Sequence, residues 1–432
     1  MKLHPAFAIL SILYTCTPGL AQTPLNLDEA LSKSVSKSFD LRIAKVDTSL
    51  AQNEIKQSRV AFYPTLRAQA NVEYVRSFQN PTTPIAVIGG STIPNYTRFQ
   101  EAATLSASYT AYDFGVRNQN LAGAREHAQA NVFQEQRQAR DLKLSVVDVY
   151  GKILSNYKGI QSKTAALQVH QEIFVAKQRL FEAGSLSKVE VAEQALKVAK
   201  TLDELNQFKQ NFATGLQELS TYTQEKYVPD EIVPSNLFEP QRFPQQIVLD
   251  TSPDSKYYAL EISKARRDVV VTQKQRLPQI ALYSSYTFYG SNVNNPFSSL
   301  GNFNQRTVSV GLSATYAIFD GYKNRADVAK KRDQVKRLEL EREQALWELG
   351  QKAEKLATEE RAKRAQLETR AKILSNGKDK EQMEFRLAEQ KITDKTKWLN
   401  EKIESLDRQL QVDNSEIERV SATIKQSILA EG

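Results

Sequence analysis

Four stretches of the chain alternate between apolar and polar residues. In the stretch 66–74, the apolar residues Leu, Ala, Ala, Val and Tyr fall on one face of a strand. The polar residues of the other face are Arg67, Gln69, Asn71 and Glu73. Stretches 104–111 and 307–318 repeat the pattern, and 280–288 follows it with more exceptions. Because successive side chains of a β-strand point to opposite faces, we predict four strands, each with one apolar and one polar face.

Long helices are predicted for much of the remaining chain. The intervals 95–228 and 297–432 contain none of the fourteen prolines, and proline is excluded from helix interiors. We predict continuous helices from about Val116 to Phe181 and from Tyr322 to about Leu387. At ~1.5 Å per residue, each would be about 100 Å long. Helices of this length pack side by side as coiled coils and not around a compact core.

The order helix, proline, strand, loop, strand, long helix occurs twice along the chain. Pro64 and Pro278 each follow a helix-like stretch and precede an alternating one. The segment 105–118 parallels 312–324, with Phe114 as one extra residue in the first copy. This repetition predicts two structural repeats. Their predicted bounds are 22–228 and 254–432, joined by a Pro-rich linker at 229–253.

Residues 1–21 have the features of a cleaved secretory signal peptide. Lys2 precedes an apolar core that is too short to span a membrane, and small residues at 19 and 21 fit a cleavage site. Cys16 is the only cysteine, so cleavage would leave a mature chain without one. Lipidation of Cys16 is the alternative, although Thr15 is larger than the usual preceding residue. We therefore predict an exported chain without disulfides or thiol chemistry.

Charge and hydropathy argue against two classes of protein, those that bind nucleic acid and those that span a membrane with helices. The formal net charge is +8, but Lys and Arg are interleaved with Asp and Glu along the helical segments. This pattern indicates a solvated helix surface, and we predict no nucleic-acid partner. After residue 21, no apolar run reaches the roughly 18–20 residues that a transmembrane helix needs.

If the chain crosses a membrane, it must therefore do so with its β-strands. Four strands cannot close a barrel, and a lipid-exposed sheet edge would leave backbone groups without hydrogen-bond partners. Several copies would then have to share one barrel. The polar loops at 77–102 and 290–306 suit the outward-facing end of such a barrel. A half-buried soluble sheet has the same alternation and remains the alternative.

Catalytic chemistry has no candidate residues in this sequence. Beyond the signal peptide, the histidines are His127 and His170, far apart on helical stretches. The sequence has no Ser–His–acid arrangement, no cluster with metal-ligand spacing and no phosphate-binding glycine loop. We predict no enzyme activity, no cofactor and no metal site.

The stretch 181–195 has the pattern of a tight turn between two helices. Gly184 can adopt backbone angles that are closed to other residues, and Ser187 can cap the following helix. Glu190 would then lie near the positive end of that helix. Together with the duplicated order, the proline–strand pairs and the signal peptide, this motif resembles the TolC family of outer-membrane channel proteins over nearly the whole mature chain.

The resemblance implies a mainly α fold with a β-barrel part. The long coiled-coil helices of each two-repeat subunit would form an α-barrel, and its four strands would contribute to a shared, trimeric twelve-stranded β-barrel. The homotrimer would lie in the outer membrane, contact its lipid and extend into the periplasm. It would dock to a periplasmic adaptor (membrane fusion) protein and an inner-membrane transporter of the RND, ABC or MFS type.

The function implied by the resemblance is passive conduction of exported substrates. Small-molecule efflux is the commoner role in the family, and type I protein secretion is the alternative. A periplasmic coiled-coil scaffold without channel activity is a second alternative. In the channel, the polar strand positions from Arg67 to Glu73 would line the outer pore.

The second hairpin tip departs from the family pattern. Aligned at an offset of 206 residues, Gln390 takes the place of Gly184, and Thr396 the place of Glu190. The residues assigned to the periplasmic tip or gate are Gly184, Ser187, Glu190, Glu193, Gln390, Thr393 and Asp394. If carboxylates line the mouth, Glu190 and Glu193 are the better candidates, with Asp394 and Glu401 behind them. Ordinary solvated helix charges are the alternative.

Overall fold

A computed structural model describes residues 23–75, 98–237, 249–292, 295 and 305–431. The predicted signal peptide, residues 1–21, lies outside these ranges. The chain forms two compact units. One contains the described parts of Met1–Arg42, Gln138–Val248 and Gly350–Gly432, and the other those of Ile43–Arg137 and Leu249–Leu349.

The described chain is mainly helical. The helices are α1 (Leu27–Lys37), α2 (Phe39–Val60), α3 (Val116–Glu182), α4 (Lys188–Thr223), α5 (Pro253–Lys274), α6 (Lys323–Glu389) and α7 (Lys395–Glu431). The strands are β1 (Thr23–Leu25), β2 (Thr65–Val75), β3 (Arg98–Tyr112), β4 (Ile232–Pro234), β5 (Gln279–Asn292) and β6 (Gln305–Thr315). A short 3-10 turn, Leu249–Thr251, precedes α5. Within the described ranges, no helix has both the length and the apolarity of a membrane span.

The four predicted strands form one antiparallel sheet in the order β2-β3-β5-β6. The register pairs Ala68 with Leu105, Leu105 with Tyr286 and Tyr286 with Val308. Directly paired residues of neighbouring strands lie on the same face, so the apolar positions of all four strands are in phase. The predicted alternation is confirmed, although β3, β5 and β6 extend into the segments that the sequence suggested as loops. Strand β6 ends at Thr315, so the last three residues of the predicted stretch 307–318 lie outside it.

Equivalent positions of the two repeats are separated by a constant 207 residues over the helical hairpins. The long helices begin at Val116 and Lys323, and the helices that follow them begin at Lys188 and Lys395. The long helices α3 and α6 both contain 67 residues. The corner before each of them holds two consecutive residues with positive φ, Phe114 and Gly115 in the first repeat and Gly321 and Tyr322 in the second. The prediction that Phe114 is an extra residue is therefore wrong. The sequence alignment matched Gly115 with Gly321, but the structure pairs Gly115 with Tyr322 and Phe114 with Gly321, since both residues of each corner have positive φ.

In the first unit, α3 and α4 pack closely through small residues. Tyr150, Ile153 and Leu216 are fully buried there. A Cβ on Gly215 would lie 2.9 Å from Ile153, and one on Gly159 would lie 2.4 Å from the ring of Phe208. Since protein interiors are packed at crystal density, each glycine allows an approach that a larger residue would prevent.

A feature that the sequence did not predict ties the start of the described chain to the segment between the repeats. Strands β1 and β4 form a parallel two-stranded ribbon. The Tyr150 hydroxyl lies 2.7 Å from the carbonyl oxygens of both Leu25 and Ser235. Burial of this hydroxyl raises its pKa. The β4 strand falls within the predicted Pro-rich linker, of which residues 238–248 lie outside the described ranges.

In the second unit, charged side chains connect α3 with α5. Arg137 donates a 2.7 Å hydrogen bond to the carboxylate of Asp254. Arg267 donates a 2.9 Å bond to Glu126. These pairs connect the helix that follows β3 with the helix that precedes β5.

Candidate functional site: two hairpin tips and a polar strand face

The first hairpin tip joins α3 to α4 through a glycine in the left-handed conformation. Gly184 has φ +74°, and its amide donates a 2.9 Å hydrogen bond to the carbonyl of Phe181. The next amide, that of Ser185, donates a 2.9 Å bond to the carbonyl of Leu180. This pair of bonds is the Schellman motif, in which glycine is favoured because it lacks a Cβ. The structure therefore places Gly184 at the turn that the sequence motif indicates.

Ser187 and Glu190, at the start of α4, form a capping box. The Glu190 amide donates a 3.3 Å hydrogen bond to Ser187 Oγ, and the Ser187 amide donates a 3.1 Å bond to Glu190 Oε2. Ser187 Oγ also donates to that carboxylate at 2.9 Å. The hydrogen bond from the Ser187 backbone amide, and after it that from the Ser187 hydroxyl, lower the pKa of the Glu190 carboxyl. Both side chains are exposed, as is Glu193 one turn further along.

The second tip has the same backbone but a different residue in the left-handed position. Lys391 has φ +58°, its amide bonds to the carbonyl of Ala388, and the Ile392 amide bonds to that of Leu387. The residue equivalent to Gly184 is therefore Lys391. The alignment that placed Gln390 there is wrong by one residue, because Gln390 still donates a helical bond to Arg386.

At this corrected register, Asp394 is equivalent to Ser187 and caps α7. Its carboxylate accepts hydrogen bonds from the Thr396 hydroxyl at 2.5 Å and from the Thr396 amide at 3.1 Å. The hydroxyl and then the amide lower the pKa of Asp394. The position equivalent to Glu190 is occupied by Lys397 and not by Thr396. Thr393 precedes the cap and is partly buried.

Glu401 does not lie where a mouth-lining carboxylate should. Its side chain is only 5% exposed and bonds to Lys380 at 2.5 Å and to Arg408 at 2.7 Å. Burial alone would raise its pKa, but the bonds from these two cations outweigh burial and lower it. Glu401 is thus a paired carboxylate inside the first unit. The sequence could not indicate this, because the partner Lys380 belongs to another helix.

Behind the tips, α3 is joined to both α4 and α7 by one lysine that sequence reasoning missed. Lys163 Nζ lies 2.8 Å from Glu204 and 3.0 Å from Asp407. Burial opposes its charge, but the hydrogen bonds to the two carboxylates raise its pKa. Closer to the tips, Val169 and Ile173 of α3 pack on Leu399 of α7. The two hairpins are therefore connected by both apolar and ion-pair contacts, and nearer the tips Lys395 Nζ adds a 2.7 Å ion pair with Glu172.

The polar strand face lies in the second unit. Arg67, Gln69, Asn71 and Glu73 are on the edge strand β2, on the face opposite to Leu66 and Val72. Rows of hydroxyls continue this face across the sheet, with the Thr104 and Thr287 oxygens 3.2 Å apart and those of Ser285 and Ser309 2.7 Å apart. Pro64 and Pro278 stand directly before β2 and β5, where the missing amide disturbs no ladder bond.

Among the residues that the structure describes, no three His, Cys, Asp or Glu side chains converge on a possible metal site. The buried side-chain amide of Gln194 donates hydrogen bonds to His170 Nδ1 at 3.2 Å and to the His170 carbonyl at 3.0 Å. Burial lowers the pKa of the His170 imidazole.

Comparison with known proteins gives the family. The sequence profile of the outer membrane efflux proteins matches residues 30–223 and 245–418. No curated protein sequence matches the chain. Among solved structures, the outer membrane protein VceC from Vibrio cholerae is 15% identical with a TM-score of 0.77, covering 94% of this chain and 95% of that one.

Two further solved structures show the same likeness. CusC is 14% identical with a TM-score of 0.74, covering 98% of this chain and 99% of that one. The CmeC outer membrane channel from Campylobacter jejuni is 14% identical with a TM-score of 0.75, covering 93% and 86%. At these identities the structures establish the fold. The profile spans most of the chain in two segments, one in each half. The resemblance drawn from the sequence is confirmed: this chain belongs to the outer membrane efflux protein family and is located in the outer membrane.

Proposed function

We propose that three copies of this chain form an exit duct in the outer membrane. Each copy would give its four strands to one closed, twelve-stranded barrel. The long helices would continue the duct into the periplasm. Conduction would be passive, and rearrangement of the two hairpin tips would open the periplasmic end.

The observation that supports this proposal most is the sheet itself. Its four strands put their apolar positions in phase, and residues such as Leu66, Val310 and Leu312 are strongly exposed in the single chain. Within the described residues, β2 and β6 each pair on one side only. An apolar face suits lipid, but unpaired edges do not, because each backbone group left unbonded in hydrocarbon costs several kcal/mol. Pairing β2 of one copy with β6 of the next removes every edge at once.

The duct would operate in a tripartite export system. A periplasmic adaptor and an inner-membrane transporter of the RND, ABC or MFS type would deliver substrate and supply the energy. The hydroxyl rows and the polar positions of β2 would line the outer pore. Small-molecule efflux is the function that we propose, because the profile matching the chain is that of efflux proteins.

The channel is tested by mass measurement in detergent and by conductance in planar bilayers. We expect a trimer with stable open-channel currents. Arg67→Gln should shift the reversal potential in a salt gradient toward cation preference, because it removes one positive charge per copy from the pore. Val72→Ile, on the opposite face of the same strand, is the matched control and should leave the potential unchanged. A monomer without conductance would refute the proposal.

The substrate is tested by deleting the gene. We expect the medium to keep its proteins and the cells to become more susceptible to dyes, detergents or metals. Loss of one or a few large proteins from the medium would instead assign the duct to type I secretion.

A further inference from the structure

The net charge of the chain is concentrated beside the sheet. The helix ends nearest to the four-stranded sheet, taken over eleven residues each, are 50–60 of α2, 116–126 of α3, 264–274 of α5 and 323–333 of α6. Together they contain 13 Lys and Arg but only five Asp and Glu, a net charge of +8. The formal net charge of the whole chain is also +8, so the rest of the chain is neutral in sum. We call these four helix ends the basic collar.

Helix α6 contributes four exposed cations to the basic collar, Lys323, Arg325, Lys330 and Arg332. None of them has an ion-pair partner in the described part of the chain. Lys323 and Lys330 are seven residues apart and share one side of the helix, as do Arg325 and Arg332. At about 100° per residue, positions 323 and 325 are roughly 200° apart. The lysine pair and the arginine pair therefore lie on opposite sides of α6.

Helix α5 packs on the side of α6 that lies between the two pairs. Asn324 donates a 2.6 Å hydrogen bond to the carbonyl of Thr272, and Lys331, two turns further along, lies 3.8 Å from Asp268. Since α5 and α6 form neighbouring parts of one layer below the sheet, the lysine pair and the arginine pair point out of the two opposite faces of that layer.

The sheet determines the order of these helices as seen from its polar face. The Arg67 carbonyl accepts a 3.3 Å hydrogen bond from the Ser106 hydroxyl, so it points toward β3, while the Arg67 side chain lies on the polar face. For an L-residue in a strand that runs away from the helices, this places β3 to the right of β2 when the polar face is viewed with the helices below. The strand order then places β6 to the right of β5, and α6 to the right of α5.

The handedness of α6 assigns each pair to a face. Helix α6 runs away from the sheet, and the residues of a right-handed helix advance clockwise when viewed from its N-terminus. From Asn324, on the α5 side, one step forward brings Arg325 to the face away from the polar side of the sheet, and one step back brings Lys323 to the polar side. In the proposed duct, the arginine pair therefore faces outward below the lipid-facing surface, and the lysine pair faces the lumen.

We propose that Arg325 and Arg332 bind the headgroups of anionic phospholipids in the periplasmic leaflet of the outer membrane. The inference rests on the proposed duct, which places the sheet in the membrane and the helices in the periplasm. Arg325 lies about 3 Å, and Arg332 about 14 Å, from the first residue of α6. Helical side chains lean toward the N-terminus of their helix, so both guanidinium groups extend toward the membrane.

The chemistry of the pair matches that of an anionic lipid surface. A guanidinium group donates two parallel hydrogen bonds to phosphate oxygens, which an ammonium group cannot do with the same geometry. Basic residues beside a membrane attract anionic lipids, and the attraction falls off within a Debye length. The outward face of α6 thus has the residue type and the position that phosphate recognition at a leaflet surface requires.

The test uses the full-length protein in vesicles of phosphatidylethanolamine and phosphatidylglycerol, with a trace of one lipid carrying a spin label. Electron paramagnetic resonance measures the fraction of label that is immobilised at the protein. We expect labelled phosphatidylglycerol to be held roughly fivefold more strongly than labelled phosphatidylethanolamine. Arg325→Gln combined with Arg332→Gln should remove most of this preference. High salt should weaken it in the parent protein, because exposed charges are screened.

Lys323→Gln combined with Lys330→Gln is the matched control. It removes the same charge at nearly the same level, but from the opposite side of α6. This variant should keep the lipid preference and should shift the reversal potential in planar bilayers toward cation preference. The arginine double variant should leave the reversal potential unchanged.

The outcomes separate lipid binding from the duct. A conducting trimer that does not distinguish the two lipids would overturn the lipid site and leave the duct standing. Equal loss of the preference in both double variants would also overturn it, since the total charge and not the outward face would then decide. A monomer without conductance would refute the duct and the lipid site together.

Discussion

The residue in the left-handed conformation at each hairpin tip predicts opposite changes in the stability of the two tips for two substitutions. Gly184→Ala should destabilise the first tip, and Lys391→Gly should stabilise the second. A Cβ added to Gly184 would meet nothing within 4 Å, so no clash contributes and the effect is one of backbone conformation. The left-handed conformation costs a residue with a Cβ about 1–2 kcal/mol. Alanine also restricts the unfolded chain more than glycine does, and this lower unfolded-state entropy offsets ~0.4–1 kcal/mol of the loss in stability.

The net effect is therefore about 1 kcal/mol, which corresponds to an approximately fivefold change in a local opening equilibrium. Hydrogen exchange of the full-length protein, measured by mass spectrometry where the rates report the opening equilibrium, resolves such a change. Amides in the last turn of α3 should exchange about five times faster in Gly184→Ala. Amides at the end of α6 should exchange about five times more slowly in Lys391→Gly.

The neighbouring substitution Gln390→Gly is the control. Gln390 donates a 3.0 Å helical bond to Arg386, so a glycine there weakens the last turn of α6 by about 1 kcal/mol and should accelerate exchange. Slower exchange in Gln390→Gly together with unchanged or faster exchange in Lys391→Gly would refute the reasoning. The left-handed residue would then be Gln390, as the sequence alignment suggested.

Three further predictions concern packing, anchoring and pH. Gly159→Ala should lower stability by about 1–3 kcal/mol because its Cβ would lie 2.4 Å from the Phe208 ring, and Phe208→Leu should restore part of the loss in thermal unfolding. Tyr150→Phe should expose the β1–β4 ribbon to proteolysis, because it removes a buried hydroxyl bonded to the carbonyls of Leu25 in β1 and of Ser235 directly after β4, at a cost of about 1–3 kcal/mol; unchanged cleavage would contradict this. The depressed pKa of Glu190 means that its contribution to the cap is complete above the ordinary carboxyl pKa of 4.5 and is lost as the pH falls through the lower folded-state value. Exchange at the start of α4, corrected for its intrinsic pH dependence, should rise in that range in the parent protein but not in Glu190→Gln, which has no carboxyl group to protonate.

The sheet and the long helices could be predicted because their signals are local. Alternation along β2 requires only that one face be apolar, and the phase between strands follows once each strand has such a face. The length of α3 could be read from the absence of proline between residues 95 and 228. The first tip was predictable because Gly184 is the residue type that a left-handed turn favours.

The second tip could not be placed in the same way. Lysine carries no preference for the left-handed conformation, so nothing in the sequence marks Lys391 as the equivalent of Gly184. The alignment of the two strand–helix corners was wrong for a related reason, because Tyr322 occupies the position that Gly115 occupies in the first repeat. Contacts between distant segments, such as the three-residue strands of the β1–β4 ribbon and the burial of Glu401, have no periodic signal at all.

The corrected register separates what the tips require from what they leave free. Both turns need a left-handed residue and an N-cap acceptor, and they obtain the acceptor from a hydroxyl at Ser187 and a carboxylate at Asp394. Three residues after each cap, the first repeat has Glu190 and the second has Lys397, which carry opposite charges on the same backbone. The sign of the charge at this position is therefore not fixed by the turn. In the proposed duct, substitutions at Glu193 and Lys397 would change the charge of the tips without removing an N-cap, whereas a substitution at Glu190 would change the charge and the capping box together.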